Sequence, residues 1–294
     1  MNKALSSCLL ACITSLAFAQ DRIDCSVIQS AVLGRAVRYC VDLPASYDAK
    51  SARSPDRYPV VYFLHGLGDD EQTLFKTGGW TLIDDLRRQK KISDFVVVAP
   101  QGFRSFYINS ADGRQRYSDF FLREFMPQIE KRYRVRVDRA GRAVSGISMG
   151  GYGALRFAFA HAGLFSSVSA QSPALIVQSP SELNAAAGSG ASIAGVLSPV
   201  FGNPINVTHW QQNNVFELAR RNRAGIGKLA IYFNCGQSDD YGFEKGAAML
   251  DRQLTEEGIT HEYHAYPGDH SLNYFLTHFG ETMKFHSHAF ARQK

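Results

Sequence analysis

The segment Gly146-Ile147-Ser148-Met149-Gly150 sets a serine hydroxyl between glycines two positions to either side. A strand-forming run, Arg142 to Gly146, leads into it, and Gly151-Tyr152-Gly153-Ala154-Leu155 opens a helix after it. A sharp strand-to-helix turn strains the backbone of its central residue and leaves no room for large side chains at positions 146 and 150. Ser148 is thereby lifted above a sheet, at a helix N-terminus whose amides favour developing negative charge. The chemistry this predicts is nucleophilic attack on a carbonyl carbon. The glycines after the serine could also suggest a dinucleotide loop, but no acidic residue closes a following strand at the required distance.

A serine hydroxyl needs a base, and the base needs an orienting acid. In such an architecture the chain order is serine, acid, histidine. His270 lies in Tyr266-Pro267-Gly268-Asp269-His270-Ser271, a turn between a strand and the last helix, from which an imidazole can reach back over the sheet. His261 and His264 fall inside the strand, and His278, His286 and His288 fall on the last helix, where surface or packing roles suit them better. The acid should follow the strand Leu229 to Asn234, where Cys235-Gly236-Gln237-Ser238-Asp239-Asp240 offers Asp239 and Asp240. Asp239 is the preferred choice, with Asp240 as a solvent-facing or capping carboxylate. The oxyanion needs two backbone N–H donors. Met149 follows the nucleophile, and Leu67, in His65-Gly66-Leu67-Gly68-Asp69-Asp70, follows an early strand.

The elements that must carry these residues alternate. Pro59 to Leu64 and Phe95 to Ala99 are continuous β-branched and aromatic runs, suited to strands covered on both faces. Helical spacing recurs at Thr81 to Leu86, Phe120 to Tyr133, Gly151 to Phe165, Phe243 to Glu257 and Leu272 to Phe290, and further strands are expected at Ser166 to Ala170, Lys228 to Asn234 and His261 to Tyr266. The expectation is one α/β domain over residues 20–294, with a mainly parallel sheet, helices on both faces and an antiparallel hairpin at the N-terminal edge. The stretch 171–225 breaks the rhythm with Ser179-Pro180, Ser198-Pro199 and small-residue runs, and is expected to form a lid-like insertion.

Residues 1–19 carry one lysine, an apolar stretch and Ala17-Phe18-Ala19, the pattern of a cleaved export signal that is too short for a bilayer span. A mature chain from Gln20, secreted or periplasmic, keeps Cys25, Cys40 and Cys235. Cys25 and Cys40 flank a hairpin and could bridge, closing a loop of about 15 residues worth about 3 kcal/mol; Cys235 suits a buried strand end. With no paired CxxC, a cysteine-based zinc site is not expected. The 294 residues carry 32 basic and 27 acidic side chains, scattered, for a net charge of +5. That pattern gives no nucleic-acid footprint.

The run Asp138 to Leu155, with Ser148 at its centre, resembles the esterase D-type branch of the α/β-hydrolases, which includes S-formylglutathione hydrolases, acetyl and feruloyl esterases and mycolyltransferases. Four motifs in order carry the resemblance across Ile28 to Phe279: the His65-Gly66-Leu67 loop, the serine elbow, Cys235-Gly236-Gln237-Ser238-Asp239, and Tyr266-Pro267-Gly268-Asp269-His270. Leu43-Pro44-Ala45-Ser46-Tyr47 is similar to the exit of the family's second strand. The resemblance implies an α/β-hydrolase fold and serine-ester chemistry without a cofactor or metal. It supports Ser148, Asp239 and His270 as triad and Leu67 and Met149 as oxyanion donors. The expected activity is hydrolysis of short-chain or carbohydrate-linked esters through an acyl-Ser148 intermediate. Transfer of the acyl group to a sugar hydroxyl, or a non-catalytic binding role on the same fold, are the rival readings. Trp80, Phe106, Tyr107 and Trp210 are candidate pocket or sugar-stacking residues.

Overall fold

The computed structural model describes residues 22–49, 56–186 and 193–292. The expected export signal lies outside them, as does part of the small-residue run near residue 190. Eight strands form one sheet: β1 (Arg22–Ser30), β2 (Arg35–Leu43), β3 (Val60–Leu64), β4 (Val96–Pro100), β5 (Arg142–Ile147), β6 (Ser167–Gln171), β7 (Ala230–Gly236) and β8 (Glu262–Tyr266). Their order is β1-β2-β4-β3-β5-β6-β7-β8. The hairpin β1–β2 and the β2–β4 pair are antiparallel, and the remaining pairs are parallel.

The central strands are buried on both faces, which is why their sequences read as unbroken apolar runs. Along β3, Val60, Tyr62 and Leu64 enter one core with Val144, Phe121 and Phe157, while Val61 and Phe63 enter a second with Ile83, Phe95 and Phe279. The first face is covered by the helices Met149–Ala160 and Phe243–Glu256, the second by Gly79–Arg88 and Leu272–Ala291. The helix Gly79–Arg88 buries Trp80, Ile83 and Leu86 at helical spacing. Its Arg87 is drawn in as well, donating to Asp42 Oδ2 on β2 and to the Phe95 carbonyl, each at 2.6 Å. Burying that guanidinium is tolerable because a carboxylate and a carbonyl meet it.

The last helix starts at the Ser271 cap, whose hydroxyl accepts the Tyr274 N–H at 3.3 Å. It buries Phe279, Met283, His286 and Phe290 against the sheet. His286 lies between the hydroxyls of Ser167, 2.8 Å from Nδ1, and Ser169, 2.7 Å from Nε2, and burial pushes its pKa down to about 3. It is a satisfied core histidine that fixes the seating of the helix whose first turn follows His270.

Cys25 and Cys40 face each other across β1 and β2 and form a disulfide, with Cα atoms 4.1 Å apart. The bridge closes a loop of 15 residues. Replacing both cysteines by alanine is therefore expected to lower unfolding free energy by about 3 kcal/mol in the chain-entropy account, read from urea denaturation with the m-value fitted for each protein, since the unbridged chain unfolds to a more expanded state. The stretch 171–225 contains the short helices Pro180–Ala186, Ile193–Phe201, Val207–Asn213 and Val215–Arg221. Asparagines begin two of them: Asn206 accepts from the His209 N–H, and Asn214 from those of Phe216 and Glu217.

Candidate active site

β5 ends at Ile147, the helix Met149–Ala160 begins one residue later, and Ser148 between them has φ +53° and ψ −118°. A non-glycine residue in that region carries strain that the surroundings must hold. They do so tightly. A side chain at Gly146 would strike the Gly150 carbonyl, and one at Gly150 would strike the Leu64 carbonyl of β3. The Ser148 N–H donates to the Gln171 carbonyl at 2.9 Å, and its carbonyl accepts from Ala174 at 3.0 Å. Gly150→Ala is expected to cost about 1–3 kcal/mol by overpacking and to displace the oxyanion loop. Thermal unfolding and ester turnover measured side by side would register both effects.

The C-terminal ends of β5, β7 and β8 bring the other polar groups to the hydroxyl. His270 Nε2 stands 2.9 Å from Ser148 Oγ, and His270 Nδ1 stands 2.6 Å from Asp239 Oδ2. Asp239 is buried, and its second oxygen accepts from the N–H groups of Tyr241 at 3.0 Å and Phe243 at 3.4 Å. The Cys235 thiol lies 3.6 Å from Oδ2, with burial pushing the thiol's own pKa up to about 12, so it stays a neutral donor. Burial alone would raise the Asp239 pKa. The hydrogen bond and charge of His270, with the two amides, outweigh it and hold the carboxyl below its ordinary value. Asp240 is exposed, and its Oδ2 accepts the His270 backbone N–H at 3.2 Å. The rings of Tyr241, Phe243 and Phe275 stand edge-on around the imidazole, at 4.8, 5.4 and 5.2 Å between centroids.

Leu67 and Met149 both border the cleft in front of Ser148, and among the described residues neither N–H is engaged by another protein group. The loop bearing Leu67 is braced by the buried His65. Its Nδ1 donates to the Gly66 carbonyl and its Nε2 accepts the Gly102 N–H, both at 2.7 Å, a pattern that only the neutral ring can make. Burial keeps it neutral by pushing the pKa down. Tyr107 adds a bond from its hydroxyl to the His65 carbonyl at 3.0 Å.

A hydroxyl on a strained corner, relayed through imidazole to a buried carboxylate and faced by two open amides, is equipped for acyl transfer through a serine. The sequence model of the family described as "Putative esterase" matches residues 30–286. The chain belongs to this esterase family. Esterase Rv1288 of Mycobacterium tuberculosis is 30% identical over 232 residues, covering 72% of this chain and 48% of the relative. The chain thus spans about half the length of the curated relatives it matches first. An acetyl esterase of Caldicellulosiruptor saccharolyticus is 23% identical over 236 residues, covering 80% of this chain and 85% of that one. Among solved structures, a ferulic acid esterase superposes with a TM-score of 0.77 at 23% identity, covering 93% of this chain and 100% of the other. An S-formylglutathione hydrolase of Staphylococcus aureus gives 0.72 at 20% identity, covering 90% and 98%. These likenesses establish the α/β-hydrolase fold.

The cleft in front of Ser148 has a volume of about 480 Å³. Of the four aromatic residues expected to form a pocket, the structure places Phe106 in its wall. Trp210 lies behind it, lining a small apolar cavity of about 20 Å³ under the insertion. Trp80 is displaced from this role: it is buried in the second core with Phe63 and Ile83 and is not part of the cleft wall. Tyr107 is displaced as well, fully buried against Gly102 and Gly153 with its hydroxyl committed to the oxyanion loop. Sequence reasoning missed the apolar wall formed by Ile176, Ile193, Val196, Phe243, Leu272 and Phe275. The bracing by His65 was missed too, although a histidine directly before the oxyanion glycine was a signal that could have found it.

Proposed function

We propose that this esterase is a serine carboxylic-ester hydrolase acting through an acyl-Ser148 intermediate. In this reading His270 takes the serine proton and returns it to the leaving alcohol, Asp239 holds the Nδ1–H tautomer, and the Leu67 and Met149 amides receive the oxyanion. The observation that carries the reading is the continuous relay from Ser148 Oγ to Asp239 Oδ2, with links of 2.9 and 2.6 Å, in front of two open N–H groups. Export of the mature chain fits the Cys25–Cys40 disulfide, since such bonds persist in oxidising compartments.

For substrate, we infer a short-chain or aromatic acyl group on a carbohydrate or other small alcohol. The apolar wall of Phe106, Ile176, Ile193, Val196 and Phe275 supports burial of the acyl part, and the cleft volume falls within the range of small-ligand sites. Asp69 puts a carboxylate at the same cleft, its pKa raised by burial and by neighbouring Asp70, where it can accept a hydrogen bond from an alcohol's hydroxyl. The names of two relatives, an acetyl esterase and an endo-1,4-beta-xylanase/feruloyl esterase of Xylanibacter ruminicola, point the same way.

The test is a turnover panel: p-nitrophenyl esters of increasing acyl length, acetylated sugars and feruloylated sugars. The expected result is a kcat/KM maximum at short or aryl acyl groups, falling about tenfold or more for long chains that outgrow the cleft. A maximum at long chains would overturn the substrate assignment, and no turnover of any ester would overturn the activity. Adding a saccharide acceptor to the same assay separates hydrolysis from transfer, because a transferase would give acylated sugar in place of free acid.

A further inference from the structure

On the helix Met149–Ala160, two turns past the nucleophile, Arg156 points away from the ester cleft. It stands about 12 Å along the helix axis from Ser148 at 1.5 Å per residue. Its Nε donates to Asn213 Oδ1 at 3.1 Å and its Nη1 to Ser118 Oγ at 2.9 Å. Both acceptors are neutral. The carboxylate that acts on it electrostatically is Asp119, and that group is already engaged. Asp119 Oδ2 accepts from Arg116 Nε at 2.9 Å and Nη2 at 2.5 Å, and Oδ1 faces Arg123 at 3.9 Å. Asp119 is thus already shared by Arg116 and Arg123, and among the described residues Arg156 has no ion pair of its own. Burial lowers its pKa, the mark of a desolvated charge without full compensation.

Arg156 opens on a polar hollow of about 360 Å³ between the segment 109–116 and the helix Val207–Asn213. Its other polar walls are Asn109, Ser110, Arg116, His209 and Gln212, and no carboxylate lines it. His209 Nε2 is buried there without a hydrogen-bond partner, while the ring is held at the Asn109 backbone carbonyl. The hollow is separate from the ester cleft. They share no lining residue, and Trp210, on the same helix as His209 and Gln212, lines the apolar cavity that adjoins the cleft at Phe106.

We infer that this hollow is a second binding site, taking a hydroxylated monoanion of monosaccharide size, a sugar acid, whose carboxylate pairs with Arg156. A planar guanidinium with unused N–H edges matches a carboxylate. Arg116, the other cation on the wall, is already paired with Asp119, so one uncompensated cation remains and calls for a single negative charge. The side-chain amides of Asn109 and Gln212 both donate and accept, as reading sugar hydroxyls requires, whereas the Ser110 hydroxyl already donates to Asp112 Oδ1 at 2.6 Å. An occupant would also tie the insertion to the nucleophile helix, since Asn213 receives Arg156 on its side chain and the Tyr152 hydroxyl on its carbonyl at 2.8 Å.

The experiment is calorimetric titration of the full chain with glucuronate, with glucose and sulfate as separate titrants. Saturable millimolar glucuronate binding is expected, with glucose and sulfate each weaker by about tenfold or more, since each lacks half of the recognition. Ser148→Ala should bind glucuronate as the wild type does, which keeps this site distinct from the ester cleft. Arg156→Gln and Gln212→Glu should each weaken binding by about tenfold or more. Gln212 is exposed, so that variant decides the matter should Arg156→Gln fail to fold. Absence of saturable glucuronate binding, or unchanged affinity in a folded Arg156→Gln or in Gln212→Glu, overturns the inference. Sulfate binding as tight as glucuronate would also overturn it, as the hollow would then read charge alone.

Discussion

Replacing Ser148 by alanine is expected to lower p-nitrophenyl acetate turnover by roughly 10⁴- to 10⁶-fold, and His270→Ala should cost a comparable factor. The reason is the unit they form. The hydroxyl is nucleophilic only while Nε2, 2.9 Å away, can accept its proton, and the imidazole has no role in attack without the hydroxyl. The double variant should therefore be scarcely worse than either single one. The residue of activity should reflect the Leu67 and Met149 amides, which neither substitution disturbs. Alanine at 148 relieves none of the tightness at the corner, because that arises at Gly146 and Gly150. The folded state should survive, so thermal unfolding separates lost chemistry from lost structure. Retention of more than about 1% of wild-type turnover in a folded Ser148→Ala protein would mean another group attacks the ester.

Most of this site was legible because its signals are local. The serine elbow is written in five consecutive residues, and the strand before it and helix after it follow from apolar runs and small residues. His270 was separable from the other histidines because a turn after a sheet's last strand reaches a place that strand or helix interiors do not. Where side-chain direction depends on distant packing, the sequence was mute. Tyr107 and Trp80 have the composition of sugar-stacking residues, yet Tyr107 fills the space that glycines at 102 and 153 leave open, and Trp80 packs into the core with Phe63 and Ile83. The helices between 171 and 225 are short, so periodicity had little length in which to appear, although asparagines 206 and 214 were caps that could have marked two of them. Nor could periodicity assemble the cleft wall, since Ile176, Ile193 and Val196 meet Phe275 across some eighty residues or more of chain. The two consecutive aspartates after β7 form the remaining ambiguity, and there the outcome depends on which carboxylate turns inward.

Asp239→Asn is expected to reduce kcat by about 10⁴-fold with little change in KM, whereas Asp240→Asn should cost less than about tenfold. The difference lies in what each oxygen does. Asp239 Oδ2 accepts from His270 Nδ1 at 2.6 Å while Oδ1 accepts from the Tyr241 and Phe243 amides, so both its position and its acceptor character are fixed. An asparagine held by those same two N–H groups must direct its NH₂ at Nδ1, which then accepts; the proton moves to Nε2, and the base facing Ser148 is lost. Among the described residues, Asp240 accepts a backbone N–H from His270 and nothing else, a task an asparagine oxygen performs as well. Acid sensitivity should divide the two in the same way. The Asp239 carboxyl titrates below its unfolded value of about 3.9, so its ionisation stabilises the fold above that pH, and the contribution is lost as pH falls through the lower folded value. The asparagine variant at 239 should therefore show a shallower loss of stability on acidification below about pH 4 than the wild type, measured as the melting temperature against pH. Equal losses of turnover in both variants, or a greater loss in Asp240→Asn, would reassign the acid to position 240.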